Sequence, residues 1–309
     1  MRTATILAFL ALLTACAPPI VPNSPEACAI EKVTSVPIRR LGKFWAVDVT
    51  LDGKPAALML DTGATGSALT TAAQARLGTR VLPGRFTVTS AAGGTIYPRA
   101  FEIDRLTLGS ETIERQIVPE LFDAHPLGEG YDGILGMATF DKYDIEIDMP
   151  ANTLGLYRRR YCPAGPPPWS GPVGVFRRSD PALARGNRPM VRAVLDGRPA
   201  RALLDTGATS TVVDTAFAVA VGGPGEPPAG GQVSEMRTVA ATAKIWRHSF
   251  TALNLAGTTI QRPAMWITNL GITADMIIGQ DLLGRLRIWI SNGSDAVYIA
   301  PPATPAKAP

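Results

Sequence analysis

Short apolar runs, broken by Gly, Pro, Asp-Gly or charged residues, recur along the chain from Val36 to Ile299, and few stretches hold a helical period. Phe44 to Val49, Phe101 to Leu108 and Glu111 to Val118 alternate apolar and polar positions, a period of two that predicts half-buried strands. Ala57 to Leu60 and Ala202 to Leu204 are continuously apolar and read as strands buried on both faces. Asp52-Gly53 and Asp196-Gly197 sit in front of these runs as tight hairpin turns. Phe86 to Ser90 and Thr95 to Tyr97 flank Gly93-Gly94 as a hairpin with a flexible tip. Thr71 to Leu77 predicts a short helix stopped by Gly78.

The pattern occurs twice. LDGKPAALMLDTGAT (Leu51 to Thr65) and LDGRPARALLDTGAT (Leu195 to Thr209) agree at eleven of fifteen positions. Each delivers an aspartate, Asp61 or Asp205, from a core strand into a turn at Gly63 or Gly207. Met276-Ile277-Ile278-Gly279 answers Gly133-Ile134-Leu135-Gly136, 74 and 75 residues beyond its aspartate. Past these glycines the apolar positions continue in step: Phe140, Tyr143, Ile145 and Ile147 against Leu283, Leu286, Ile288 and Ile290. A whole domain is therefore duplicated. If the halves pair about a pseudo-two-fold axis, Asp61 and Asp205 meet there, and two facing carboxylates suit acid–base hydrolysis through an activated water.

Composition sharpens this outline. With 309 residues and 46% hydrophobic content, two lobes can each bury a core, and 30 Gly with 27 Pro favour a turn-rich β structure. The lobes are expected at residues 36–162 and 173–300, joined by a Pro-rich linker at 163–172 that stays outside the core, with a disordered tail at 301–309. The net charge of +4 comes from scattered arginines. The run Arg158-Arg159-Arg160 reads as a solvated face, and nucleic acid is not an expected partner.

Residues 1–15 form a targeting segment: Arg2 precedes an apolar stretch too short to span a bilayer. Leu13-Thr14-Ala15-Cys16 resembles the lipobox of bacterial lipoproteins. The resemblance implies cleavage before Cys16, its lipidation, a tether over residues 16–35 and, with Ala17 following, an outer-membrane location facing the periplasm. An ordinary signal peptide cut nearby is the alternative. Cys28 and Cys162 remain, and in an oxidising compartment they form an even pair suited to a disulfide worth about 4–5 kcal/mol, or else two free thiols. No metal site is expected.

Strand–Asp-Thr-Gly-Ala, a hairpin, then apolar-apolar-Gly before a short helix resembles the retropepsins, the retroviral-type aspartic proteases. The likeness covers roughly 250 residues. It implies an all-β fold of two pseudo-two-fold-related retropepsin-like β-barrel lobes with short helices, fused as in pepsin-like enzymes, so that a monomer suffices. It implies Asp61 and Asp205 as the catalytic pair holding a water and Thr62 and Thr206 as cross-lobe locks. Gly63 and Gly207 would let backbone approach the carboxylates, while Gly136 and Gly279 pack under the loops. The hairpins around Gly93 and Gly94 and around Ala241 and Thr242 would be flaps, the second lacking the expected glycines. Tyr97 would be a flap aromatic or a core or rim residue. The implied activity is an aspartic endopeptidase without a cofactor, acting on an extended polypeptide of the cell envelope.

Two carboxylates ~3 Å apart keep one proton between them. Ala64 and Ala208 stand where pepsin-like enzymes carry a hydroxyl able to stabilise the carboxylate, so a mildly acidic optimum is expected. Rival chemistries lack residues: with only His125 and His248, one per lobe, neither a histidine triad nor a His-rich metal site can be built. Gly128 to Gly133 matches a dinucleotide fingerprint only by letter, and Asn292-Gly293-Ser294 is simpler as a turn than as a glycosylation sequon. The competing reading is an envelope lipoprotein that binds peptide without cutting it. Self-processing, or cleavage of one dedicated partner, is a third.

Overall fold

The computed structural model describes residues 29–87, 89–91, 94–121, 129–160, 166–170, 173–177, 188–238, 242–292 and 296–300. Cys16, Cys28, Cys162, Gly93, Ala241, His125, the targeting segment and the tail lie outside the described residues.

The N-terminal lobe runs β1 (Ala29–Leu41), β2 (Phe44–Leu51), β3 (Lys54–Leu60), β4 (Ala68–Thr70), α1 (Thr71–Leu77), β5 (Arg80–Phe86), β6 (Thr89–Ala91), β7 (Gly94–Ile96), β8 (Arg99–Leu108), β9 (Glu111–Leu121), β10 (Gly133–Leu135), a 3-10 turn (Met137–Phe140), β11 (Asp144–Asp148) and β12 (Thr153–Arg160). β1 starts inside the stretch expected as a tether. Its outer end pairs with the basic β12, Glu31 opposite Arg158, and this edge lacks the apolar alternation by which a strand is recognised. The basic run is on β12 and is ion-paired rather than merely solvated: Arg158 with Glu111, the nearly buried Arg159 with Asp144, Arg160 with Glu31.

The C-terminal lobe repeats the plan with β13 (Gly174–Arg177), β14 (Met190–Leu195), β15 (Arg198–Leu204), β16 (Val212–Asp214), α2 (Thr215–Ala220), β17 (Val233–Arg237), β18 (Thr242–Ser249), β19 (Ala252–Leu255), β20 (Thr258–Gln261), β21 (Ala264–Thr268), β22 (Met276–Ile278), α3 (Gln280–Leu283), β23 (Arg287–Ile290) and β24 (Ala296–Ala300).

In the first lobe β2, β3, β10, β4, β9 and β8 follow one another, and β8 returns to β2 through Leu51 opposite Leu106, closing a six-stranded barrel. The second lobe matches this order, except that the counterparts of β8 and β9 each break in two. Pro263 has no N–H for a ladder, yet its carbonyl accepts from Phe250 at 3.0 Å, while the Arg262 amide donates to Thr251, so the break is stitched across. Leu195 opposite Leu253 closes this lobe as Leu51 and Leu106 close the first.

Between the lobes lies one sheet in the order β13-β24-β23-β11-β12-β1, three strands from each half. At its centre Ile145 pairs with Ile290 and Ile147 with Ile288, all buried, which places the pseudo-two-fold axis between β11 and β23. The apolar residues that keep step after Gly136 and Gly279 thus build the seam. Trp169, in the stretch expected to remain outside the core, docks beneath this sheet: its Nε1 donates to the buried Glu146 at 3.0 Å and its ring meets Trp289 edge-on. Among the described residues, no helix is long and apolar enough to cross a membrane.

Candidate active site

β3 and β10 run parallel, Leu60 beside Leu135, and β15 and β22 do the same with Leu204 beside Ile278. These buried strands carry each aspartate out of the core at one point, where Asp61 N donates to Leu135 O (3.1 Å) and Asp205 N to Ile278 O (2.9 Å). The two loops then lock. Thr62 N donates to Thr206 Oγ1 at 3.0 Å and Thr206 N to Thr62 Oγ1 at 3.0 Å. Each hydroxyl in turn donates at 2.7 Å to a carbonyl of the opposite strand, Thr62 to Leu204 and Thr206 to Leu60. Both threonines are buried, so all four donors and acceptors are used where water cannot replace them.

The lock brings Asp61 and Asp205 into hydrogen-bond contact with each other. Each rests on the other loop's glycine. A Cβ at Gly63 would lie 2.4 Å from Asp205 Cγ, and one at Gly207 would lie 2.6 Å from Asp61 Cγ, so no larger residue fits either place. Asp61 Oδ1 accepts the Ala64 amide (2.9 Å), and Asp205 Oδ1 accepts those of Gly207 (2.7 Å) and Ala208 (3.1 Å). Gly136 and Gly279 pack directly under the loops, against Gly66 and Ser210.

Burial pushes Asp61 well above the ordinary carboxylate range, and the charge and hydrogen bond of Asp205 push it further. Burial raises Asp205 too, but the Gly207 amide, the bond from Asp61, the Ala208 amide and the nearby Arg188 cation all pull it back. With both members raised and coupled, the pair favours holding a proton between its two carboxyls, and that titration belongs to the pair rather than to either residue. Such a pair can take a proton from one group and give one to another in a single step.

Four supporting positions escaped the sequence reading. Ser67 and Thr211 hydroxyls accept the amides of Gly136 (3.0 Å) and Gly279 (3.1 Å). Asp132 accepts the Ala57 amide at 2.9 Å and Asp275 the Arg201 amide at 2.7 Å, fastening β10 to β3 and β22 to β15. Their equivalent places in the two halves were the available signal. Gln280 has no such twin, since Met137 occupies the matching position; its Nε2 donates to Thr206 O at 2.6 Å and its Oε1 accepts from Arg40 of the other lobe.

Of the predicted flaps, β6 and β7 pair from Thr89–Ile96 to Ala91–Gly94, with Gly94 opening β7. The second is the hairpin of β17 and β18, with Thr242 opposite Arg237 at its far end. Tyr97 is 68% exposed at the base of the first hairpin, which removes it from the core. His248 lies on β18 with its ring edge-on to Phe250. Asn292 donates through Nδ2 to the Phe140 and Tyr143 carbonyls, both at 2.6 Å, so its side chain is structural. Among the described residues no three potential metal ligands gather.

A comparison with curated proteins finds one weak similarity, 26% identity over 144 residues to a phosphoglycerate kinase of Dictyoglomus turgidum. It covers 42% of this chain, and the chain spans about a third (35%) of the kinase, so it carries no statement about family or activity. A family profile described as aspartyl protease matches residues 47–139 and again 191–282. The two matches take in more than half of the chain, and each contains one of the facing aspartates. With the closed barrel, its stitched repeat and the threonine lock between them, this chain belongs to the retropepsin-like aspartyl protease family as a fused, two-lobed member.

Proposed function

We propose that the protein is an endopeptidase that hydrolyses extended polypeptides through a water held between Asp61 and Asp205. The observation that carries this reading is the facing pair itself, half-buried and locked together by Thr62 and Thr206. In this reading Asp205, nearer the Arg188 cation, is the ionised member and takes a proton from the water as it attacks the scissile carbonyl. Asp61 gives its proton to the carbonyl oxygen, and the tetrahedral intermediate collapses as the leaving amine is protonated. The substrate lies as a strand between the two hairpins and pairs through its backbone. We propose further that the protein works at the outer membrane, facing the periplasm and tethered by lipid at Cys16, on an envelope polypeptide. A peptide binder that does not cut is the poorer reading, because both carboxylates are kept in acid–base contact.

The test is direct. The protein should cleave members of an apolar peptide library, a statine-type analogue should block it, and Asp61→Asn or Asp205→Asn should each lower kcat by at least about a hundredfold with the fold intact. Tight peptide binding with no turnover at any pH would defeat the proposal.

A further inference from the structure

The two sides of the cleft are not chemically equivalent. Thr62 and Thr206 stand 144 residues apart, and the same spacing relates Phe44 to Arg188, at the entry to β2 and just before β14. On the N-terminal side Phe44 meets Tyr131 edge-on, ring centroids 6.4 Å apart, and the Tyr131 hydroxyl donates to Leu41 O. Ala46, Met59, Ala68 and Ala64 pack with them, so this wall is apolar and its polar atoms are satisfied. On the C-terminal side the residue before the strand-tying Asp275 is Ala274, where the first lobe has Tyr131 before Asp132. Ala274 packs with Met190, Leu203 and Leu270 in an apolar cluster of its own, and Arg188 takes the sequence place of Phe44.

That side chain is half-buried, and its Nε is shut away from solvent without an acceptor. Among the described residues the guanidinium makes no ion pair. Its backbone is fixed, since Met190 N donates to Arg188 O at 2.8 Å and Leu204 N donates to Pro189 O at 3.1 Å. Arg188 is close enough to Asp205 to act on its charge, but the Asp205 oxygens are taken by the Gly207 and Ala208 amides and by Asp61. A guanidinium keeps its charge at any working pH and presents a planar fork of donors. Beside the reacting pair it lacks the acceptor it is shaped for, a carboxylate able to take two parallel bonds.

We propose that Arg188 is a specificity-determining residue that receives a glutamate or aspartate side chain of the substrate on the C-terminal side of the cleft, opposite an apolar side chain held by Phe44 and Tyr131. This rests on the endopeptidase reading. The test uses peptides the protein already cleaves, varied only to Glu, Gln, Leu or Lys at each position flanking the scissile bond. At one position Glu should exceed Gln in kcat/KM by about tenfold or more at a pH where Glu is ionised. Arg188→Gln should bring that ratio to within about twofold, and Arg188→Lys, which keeps the charge but loses the fork, should leave it in between. Because Arg188 also acts on Asp205, absolute rates will shift in the variants. The ratio of two substrates on one variant cancels that shift. Cleavage with no acid preference at any position, or a ratio that Arg188→Gln leaves unchanged while all rates fall together, overturns the proposal. Failure to cleave any peptide sinks the endopeptidase reading itself, and this one with it.

Discussion

Asp61 and Asp205 occupy the same place in two nearly identical loops, yet their surroundings separate them. Burial raises both and loop amides pull both back, Ala64 and Gly63 at Asp61, Gly207 and Ala208 at Asp205; what differs is the Arg188 cation near Asp205 and the bond the two carboxyls share. Ala64 and Ala208 give the pair no hydroxyl, and both acids stay above their ordinary value of 3.8. The folded chain therefore binds protons here more tightly than the unfolded chain. The stability this contributes is complete below pH 3.8 and drains away as pH rises through the raised values. Asp61→Asn removes the titration at little cost in shape, so at pH 7 the variant should be more stable than the native protein, and the gap should close as pH falls below 3.8. Urea unfolding at neutral, mildly acid and strongly acid pH measures this, and a gap that widens on acidification contradicts it. Activity should peak in the mildly acid range rather than at about pH 2. The aspartates, threonines and glycines of this site were legible in the sequence because the repeat marks them twice. Arg188 and Gln280 were not, since each matters by differing from its twin, Phe44 or Met137, and a difference inside a repeat reads as noise until space is known.

Strand-length apolar runs were visible throughout, and the strands that carry Asp61 and Asp205, the Asp-Gly turns and α1 fall where the pattern puts them. The misreadings came from elements whose partners lie far away in sequence. The linker is one case. Proline and glycine marked 163–172 as a spacer, but Trp169 leaves it to meet Trp289 at 6.1 Å, while Arg287 lies over the Trp169 ring at 4.5 Å. Its Nε1 is one of three donors, with Tyr157 and Arg287, that satisfy the buried Glu146. Removing the indole uncovers Trp289 and leaves Glu146 short of a donor, so Trp169→Ala should cost about 3–5 kcal/mol. Trp169→Phe keeps most of the ring and loses the hydrogen bond, and should cost about 1–3 kcal/mol. Denaturant midpoints check both. Limited proteolysis of the alanine variant should cut the linker faster than in the native protein, and equal cutting rates would mean that the indole does not anchor it.

At the scale of the whole molecule the duplication announces two lobes, but the sheet that joins them depends on ladders between strands more than a hundred residues apart. β11 carries Ile145 and Ile147 to the seam, and β23 covers them with Ile290 and Ile288. Polar groups cross at the same place: Arg287 pairs with Glu146 and Asp148, and Asp144 accepts from Ser291 and from the Asn292 amide. Take away the second half and β11 becomes a bare edge with two apolar side chains and three buried carboxylates uncovered, while Thr62 loses both Thr206 and the Leu204 carbonyl. A chain ending at residue 165 should not survive as a monomer. It should pair with a second copy through β11, or aggregate. A separate chain of residues 166–300 should capture it as a one-to-one complex and restore peptide cleavage, because the seam and the threonine lock need proximity and complementarity rather than a continuous backbone. Sedimentation of each half, alone and mixed, decides the matter: an isolated N-terminal half that is monomeric and folds as stably as the whole would mean that the lobes are independent modules, and that the seam between β11 and β23 does not hold Asp61 against Asp205.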